Sequence, residues 1–125
     1  MTADMRRVEE AILALQRETP SVRGVVLADA SGLPIASSLE EPTDLLPVSA
    51  MSTLLFTAAS RVFRNLRLDA VKWAHVEGDE ADVLVRALPE GLTLLLLATK
   101  GADLSALRRA VEATQEAIQE ALLTP

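Results

Sequence analysis

The segment that most constrains the fold is residues 92–99, because its sequence, LTLLLLAT, is apolar on both faces of a strand. A strand with one solvent-exposed face alternates apolar and polar residues, whereas a strand without alternation is covered on both faces. Residues 92–99 therefore predict a central strand in a sheet that carries helices on both of its faces.

Two short turns connect this strand to the two predicted strands before it. Residues 69–77 and 81–88 have strand-like patterns, and the turns at 78–80 and 89–91 each contain glycine. Such short connections join antiparallel neighbours, so the three strands are expected to form an antiparallel meander.

A hairpin is predicted earlier in the chain. Residues 22–28 are rich in valine, and residues 29–32, Asp-Ala-Ser-Gly, favour a turn. Asp and Ser can hydrogen-bond the local backbone, and Gly tolerates a positive φ. Residues 33–38 return as a short strand. Pro34 cannot donate a hydrogen bond to a neighbouring strand, so this strand is expected at an edge of the sheet.

Three helices are predicted from apolar residues at three- and four-residue spacing. They cover residues 3–18, residues 45–66 and the segment that begins at Asp103 or Ser105. The order of elements is therefore αββαβββα. This is an α+β fold, and we expect residues 1–125 to form one domain.

Composition excludes several classes of function. The chain has 12 Lys and Arg against 18 Asp and Glu, a formal charge of -6, which disfavours nucleic acid as a partner. It has no Cys and 1 His, which excludes thiolate metal sites, iron–sulfur clusters and a Cys nucleophile. None of the 5 Gly residues has the spacing of a phosphate-binding loop. We therefore expect no enzymatic activity, no metal and no cofactor.

No segment predicts export or insertion into a membrane. The N-terminus leads into an amphipathic helix with charges throughout rather than into an apolar signal core. The longest strictly apolar run, residues 94–98, is far too short to cross a bilayer. The expectation is a cytoplasmic protein without membrane insertion.

Two groups of titratable residues each allow a functional and a simpler interpretation. The first group is an acidic cluster at a predicted turn: Glu77, Asp79, Glu80 and Asp82. The cluster could hold a cation or supply paired carboxylates, but its spacing fits no calcium loop, so a solvated hairpin tip is favoured. The second is His75, a candidate general base. No Ser or Cys partner is suggested nearby, so a surface or interface role is favoured.

The predicted helix over residues 45–66 is apolar around more of its circumference than one buried face requires. Thr43 or Asp44 can cap it, and Pro47 fits its first turn. The apolar arc is about 200°, against the about 100° of a helix that packs on one side. Deep burial within the chain is one interpretation. An oligomer interface is favoured, because a helix in an outer layer keeps an exposed back.

Charge is segregated in the second half of the chain. Residues 44–76 are locally positive and residues 77–91 are acidic. The positive charge comes from Arg61, Arg64, Arg67 and Lys72. The cluster either meets an acidic partner or is a solvated helix end that complements the helix dipole. Both interpretations stay open.

The order of elements and the first hairpin together resemble the Roadblock/LC7 family. Asp29 and Gly32 match the Asp-x-x-Gly turn of that family, and Ile35-Ala36-Ser37 match its small-residue return strand. The long helix over residues 45–66 and the late strand over residues 92–99 also match. The resemblance covers nearly the whole chain and rests on the ordered set of elements rather than on one motif.

The resemblance implies a five-stranded antiparallel sheet of order 2-1-5-4-3, with one helix on one face and the two terminal helices on the other. It places residues 69–77 at an edge of this sheet. Family members usually dimerise through the middle helix and this edge strand, which joins two sheets into one. Bacterial members are associated with Ras-like small GTPases, including the gliding-motility GTPase. This chain looks like a bacterial stand-alone member.

A homodimer is therefore expected. Its predicted interface residues lie on the middle helix and on the edge strand: Met51, Leu54, Leu55, Ala58, Val62, Val71, Trp73, Ala74 and His75. A proline at Ala74 is expected to remove a donor from the ladder between the two copies.

A Ras-like small GTPase is the expected partner of this dimer. The predicted partner-binding residues lie on the outward side of the middle helix: Ser49, Thr53, Thr57, Ser60, Arg61 and Arg64. Short side chains allow close approach, and Arg pairs well with acidic groups. The chain would regulate the nucleotide cycle of the GTPase as a non-enzymatic regulator or scaffold. The alternatives are a small-ligand sensor, which 1 Trp and 2 Phe support poorly, and a general scaffold without a GTPase.

Overall fold

The computed structural model describes residues 4–40 and 44–123. The helices and strands follow in the order α1 Met5–Glu18, β1 Val22–Ala28, β2 Pro34–Ser37, α2 Leu45–Asn65, β3 Trp73–Glu77, β4 Ala81–Ala87, β5 Thr93–Thr99 and α3 Leu104–Leu123. A short 3-10 turn, Pro89–Gly91, connects β4 to β5. The predicted order αββαβββα is confirmed.

The strands form an antiparallel sheet of order β2-β1-β5-β4-β3. The segment with the strongest apolar pattern, β5, is at the centre, as predicted. Leu94 and Leu96 face one side of the sheet and are completely buried, while Leu95 is buried on the other side. The strand that begins at Pro34 is at one edge of the sheet, as predicted.

The two terminal helices cover one face of the sheet. They run antiparallel to each other, since the Asp4 N–H at the start of α1 donates to the Ala121 carbonyl near the end of α3 at 2.9 Å. The core between them and the sheet includes Val8, Ile12 and Leu15 of α1 and Leu107, Val111 and Ile118 of α3.

The middle helix, α2, covers the other face alone. Its core is smaller and consists of Val26, Val85 and Leu95 from the sheet, with half-buried side chains of α2 against them. The predicted arrangement of one helix on one face and two on the other is confirmed.

Side chains at the turns stabilise them as the sequence predicts. The Asp29 carboxylate accepts hydrogen bonds from the N–H groups of Ser31 at 2.9 Å and Leu33 at 3.0 Å. Gly32 has a φ of +84°, a conformation that favours glycine. At the start of α3, the Asp103 carboxylate accepts from the Ser105 N–H at 3.0 Å, which makes Asp103 the cap.

The start of α2 differs from its prediction. Asp44 is at the N-cap position, but its side chain makes no capping hydrogen bond. The alternative cap, Thr43, lies outside the described residues. Pro47 is in the first turn of the helix, as predicted.

The third strand is shorter than predicted. The prediction covered residues 69–77, whereas β3 begins at Trp73 and residues 69–72 form a connector. Val71 in this connector is 7% exposed. The alternating pattern extended the prediction too far, because Val71 is buried by packing beside α2 rather than by membership of the sheet.

Candidate interaction surface

The outward side of α2 is apolar and uncovered. Met51, Leu54 and Val62 are each more than half exposed, and Ala58 is also exposed. Leu55, between them in sequence, is half-buried against the sheet. Large exposed side chains on one helix face mark an interaction surface more often than an ordinary solvated face.

Ser49 is not at the outward side, which corrects its prediction as a partner-binding residue. Its side chain is 0% exposed and, like that of Ser52, lies on the buried side of α2. The Ser52 hydroxyl donates to the Ser49 carbonyl at 2.7 Å, whereas the Ser49 hydroxyl has no hydrogen-bond partner among the described residues. Small side chains let α2 approach the sheet, and this rotates part of the predicted polar face inward.

The other predicted partner-binding residues divide into two groups. Thr53 and Ser60 are half-buried, and Thr53 lies beside the Gly32 turn. Thr57, Arg61 and Arg64 are exposed. The polar face therefore lies between the β1–β2 hairpin and solvent, and only its outer part is available to a partner.

Two open cavities lie under α2. One of about 300 Å³ is lined by Pro47, Val48, Met51, Ser52, Leu55, Val83 and Leu95. The other, of about 470 Å³, lies near the end of the helix between Phe56, Phe63, Arg64, Leu68, Val71 and their neighbours. The first is almost entirely apolar and lacks the several converging polar groups that orient a small ligand. It does not support the ligand-sensor alternative.

The backbone hydrogen bonds of β3 determine which of its polar groups stay free. The Ala87 N–H donates to the Lys72 carbonyl at 3.2 Å, and the Gly78 N–H donates to the Ala81 carbonyl at 3.0 Å. The direction of hydrogen bonding alternates along an antiparallel strand, and β3 pairs with β4 without a register shift. The even-numbered residues of β3 therefore bond to β4, and the odd-numbered residues face the open edge.

This alternation corrects the expectation for a proline at Ala74. The N–H of Ala74 is directed toward β4, so a proline there would break the ladder within the chain. The N–H groups that face the open edge belong to Trp73, His75 and Glu77. These are the donors that a second copy could pair with.

The side chains of β3 that were predicted to lie at an interface have partners within the chain. The Trp73 ring packs beside the core under α1 and α3, and the Arg86 guanidinium lies 5.3 Å from the ring centroid. The His75 Nε2 is 2.9 Å from the Asp82 carboxylate. Ala74 packs on the α2 side, where the smaller core lies.

Asp82 differs from the solvated acidic tip that the sequence predicts. Its side chain is buried, and one carboxylate oxygen lies 3.6 Å from the Lys100 ammonium. The hydrogen bond from His75 lowers the pKa of Asp82, with the Lys100 charge as a smaller cause in the same direction. Glu77 also pairs with Lys100, at 3.3 Å. Within residues 4–40 and 44–123, no cluster of His and acidic residues could hold a metal.

Sequence reasoning missed the turn that follows α2. Leu66 and Leu68 are 63% and 54% exposed, and Arg67 between them has a φ of 60°. Each residue alone is ordinary in a sequence, and the signal that could have identified them is the Leu-Arg-Leu run directly after a long apolar helix.

By length and composition, α2 could also cross a bilayer. Its mean hydropathy over 18 residues is 1.3, and 11% of that window is buried. The inner side of the helix nevertheless packs on the sheet. The high hydropathy therefore reflects a second apolar side of α2, which the monomer leaves exposed.

Comparisons with known proteins agree with this geometry. The model of the Roadblock/LC7 domain matches residues 8–98. An uncharacterized protein of Methanocaldococcus jannaschii is 30% identical over 93 residues, which cover 74% of this chain and 78% of that protein. Among solved structures, MglB of Myxococcus xanthus has a TM-score of 0.85 at 12% identity, covering 94% of this chain and 88% of that chain.

A second solved structure, described as MglB with a tetrameric arrangement, has a TM-score of 0.79 at 22% identity and covers 98% of this chain and 95% of that chain. At these identities the solved structures show a shared fold. The domain match shows the family as well, and it confirms the resemblance drawn from the hairpin and the order of elements. The chain belongs to the Roadblock/LC7 domain family.

Proposed function

We propose that this chain forms a homodimer that binds a Ras-like small GTPase and regulates its nucleotide cycle. The observation that carries the proposal is the uncovered apolar side of α2 on a sheet whose β3 edge is open. Membership of the Roadblock/LC7 family supports the same function. We place the protein, as one domain, in the cytoplasm.

The dimer uses both features at once. In a two-fold symmetric dimer each copy contributes the same surface. The odd-numbered N–H groups of β3 pair with the same strand of the second copy, and the apolar sides of the two α2 helices meet. The proposed interface consists of Met51, Leu54, Leu55, Ala58 and Val62 of α2 with Trp73, Ala74 and His75 of β3. Val71 is left out, because its own chain already buries it.

The GTPase contacts the outer polar part of α2. Thr57, Arg61 and Arg64 are exposed there, and two cations suit a partner that presents acidic groups. Thr53 and Ser60 contribute at the margin of this surface. The dimer holds the GTPase in one arrangement by binding, and the chain by itself neither binds nor hydrolyses GTP.

Two charge reversals test the GTPase surface. Arg61→Glu with Arg64→Glu should weaken binding of the Ras-like GTPase encoded nearest to this gene by more than about tenfold, because like charges then face each other. Arg108→Glu with Arg109→Glu changes the net charge equally on exposed positions of α3 and should leave the affinity unchanged. Titration calorimetry measures both, and sedimentation shows whether each variant is still dimeric.

Equal affinities for the wild-type protein and the Arg61/Arg64 variant would contradict the proposed surface. Binding or hydrolysis of GTP by the purified chain would contradict a purely regulatory role. A sedimentation mass of 13.4 kDa at micromolar concentration would contradict the dimer itself.

A further inference from the structure

The turn between α2 and β3 combines positive charge with exposed aliphatic side chains. Residues 61–72 contain four basic residues and a single acidic one, Asp69, in a chain whose formal charge is -6. Arg61, Arg64, Arg67 and Lys72 are all exposed, and in the part of the chain that the structure describes none of them forms a salt bridge. Arg67 and Lys72, which lie outside the proposed GTPase surface, are therefore available to an external anionic surface.

The backbone of this turn is well defined. The Leu68 N–H donates to the Phe63 carbonyl at 2.9 Å, and the Arg67 N–H donates to the Arg64 carbonyl at 3.0 Å. This is the Schellman pattern that ends many helices, and the position with positive φ in it is usually glycine. Here the position is Arg67, with a φ of 60°. The strained conformation holds Arg67 between the exposed Leu66 and Leu68.

We propose that this turn docks onto an anionic lipid surface. Peripheral membrane segments place cations at the headgroups and aliphatic side chains at the boundary with the acyl chains, and the Leu-Arg-Leu run supplies both. The proposal is independent of GTPase binding.

An acidic protein is the other surface that the charge would fit. Arginines at protein interfaces are normally ordered by paired carboxylates, whereas a lipid surface accepts mobile cations and aliphatic side chains without fixed geometry. The exposed leucines on either side of Arg67 therefore favour lipid.

The acidic charge of the rest of the chain does not prevent this orientation. Exposed Glu112 and Glu116 lie on α3, on the opposite face of the sheet from α2. Sheet and helix layers are about 10 Å apart and the Debye length in physiological salt is about 8 Å, so the far face is largely screened. The repulsion that remains turns the acidic face away from the membrane.

Vesicle flotation with the full chain tests the proposal. Vesicles of phosphatidylcholine with phosphatidylglycerol should bind the wild-type protein, vesicles of phosphatidylcholine alone should bind it much less, and salt should weaken the binding. Arg67→Gln with Lys72→Gln should reduce partition about thirtyfold, the factor that two basic residues contribute near an anionic surface. Arg108→Gln with Arg109→Gln removes the same charge from α3 and should leave partition unchanged.

Single substitutions measure what the aliphatic side chains and the turn contribute to vesicle binding, and they distinguish a loss of binding from misfolding. Leu66→Ser should weaken vesicle binding more than Leu46→Ser, a matched change at an equally exposed position near the other end of α2. Arg67→Gly should raise the melting temperature, because it relieves the positive φ, and should still lower vesicle partition. Loss of binding in a more stable protein excludes misfolding as the cause.

The proposal would be overturned if the wild-type protein did not bind phosphatidylglycerol vesicles, if it bound both kinds of vesicle equally, or if the two arginine-containing pairs caused equal losses of binding. If Arg67→Gln with Lys72→Gln weakens the GTPase complex and leaves vesicle binding intact, the turn contacts protein and the lipid proposal is wrong. Sedimentation of the same variants shows whether the dimer persists, so failure of the homodimer is seen separately.

Discussion

The two faces of the sheet are covered in different ways. On one face α1 and α3 pack side by side and bury their apolar stripes between each other and the sheet. On the other face α2 lies alone, and its outward side chains such as Leu54 stay exposed. A helix is about 10 Å wide with its side chains, whereas five strands span roughly 20 Å, so one helix cannot cover the sheet.

This difference locates the surface at which we propose that another molecule binds. On the face with two helices, the apolar stripes of α1 and α3 are buried within the monomer. The face with one helix keeps an apolar surface exposed to water, and the sheet has a free edge at β3 whose N–H and C=O groups can pair with another chain. The following predictions test this contrast, from the largest expected effect to the smallest.

The same substitution on the two faces should have very different effects on the monomer. Leu107→Ala on α3, where the side chain is 0% exposed, should lower the free energy of unfolding by about 2–5 kcal/mol, because it leaves a cavity. Leu54→Ala on α2, where the side chain is 56% exposed, should lower it by less than about 1 kcal/mol in dilute protein. Urea denaturation measures both.

Concentration supplies the control for this pair. In the wild-type protein the melting temperature should rise with protein concentration, because only the folded chain dimerises. Leu54→Ala should flatten this dependence and Leu107→Ala should not. Equal losses of stability in dilute protein would mean that α2 buries its outward side within the monomer.

Proline substitutions in β3 should distinguish the N–H groups that face the open edge from those that bond to β4. His75→Pro removes an N–H that faces the open edge, and by symmetry the dimer loses it twice, so the dissociation constant should rise at least about tenfold. His75→Ala keeps that N–H and serves as the control for the lost side chain. Sedimentation equilibrium measures the dimer in each variant.

Ala74→Pro completes this comparison. Its N–H bonds to β4, so the substitution should destabilise the fold itself and be detected by denaturation before any effect on assembly. A His75→Pro protein that remains as dimeric as His75→Ala would exclude pairing through the β3 edge.

Stability should depend on acid through Asp82, on the face that α1 and α3 cover. The hydrogen bond from His75 lowers the pKa of Asp82 in the folded protein, so its stabilising effect is present above the unfolded pKa and is lost as the pH falls through the folded one. The difference in unfolding free energy between the wild-type protein and Asp82→Asn should therefore be largest near neutral pH and shrink below about pH 4. Denaturation curves over this pH range test it, and a difference that does not change with pH would assign the effect to packing.

The smallest effect is expected at the turn after α2. Arg67→Gly should increase the free energy of unfolding by about 0.5–1 kcal/mol, because glycine adopts a positive φ without a steric penalty. Gly101 has a φ of +79° and no atom within 4 Å of the place where a Cβ would stand, which makes Gly101→Arg the reverse experiment with the opposite sign. A loss of stability in Arg67→Gly would mean that the arginine side chain makes stabilising contacts.

Local chemistry was enough to predict most of the elements. The turn at Asp29 and Gly32, the edge strand that begins at Pro34 and the cap at Asp103 each depend on bonds within a few residues, which a sequence displays directly. The central position of β5 also followed from the sequence, since a strand that is apolar on both faces must be covered on both.

The orientation of α2 and the pairing of individual groups could not be predicted in this way. Polarity alone placed Ser49 outside, whereas its small side chain fits between α2 and the sheet even though its hydroxyl has no hydrogen-bond partner among the described residues. The Asp82–His75 pair joins neighbouring strands, so its distance depends on strand register. The direction of the Ala74 N–H depends on the hydrogen bond from the Ala87 N–H to the Lys72 carbonyl, which sets the alternation along β3.

The sequence by itself determined the order of elements, the central strand and the presence of more apolar surface on the middle helix than one face requires. Those properties are set by periodicity and by bonds between near neighbours, which do not depend on the rest of the chain. Only the tertiary structure decided which side of α2 is buried, which N–H groups of β3 are free, and that Leu66, Arg67 and Leu68 share one exposed turn. Each of these depends on which segments that are distant in sequence pack against one another and shield one another from water.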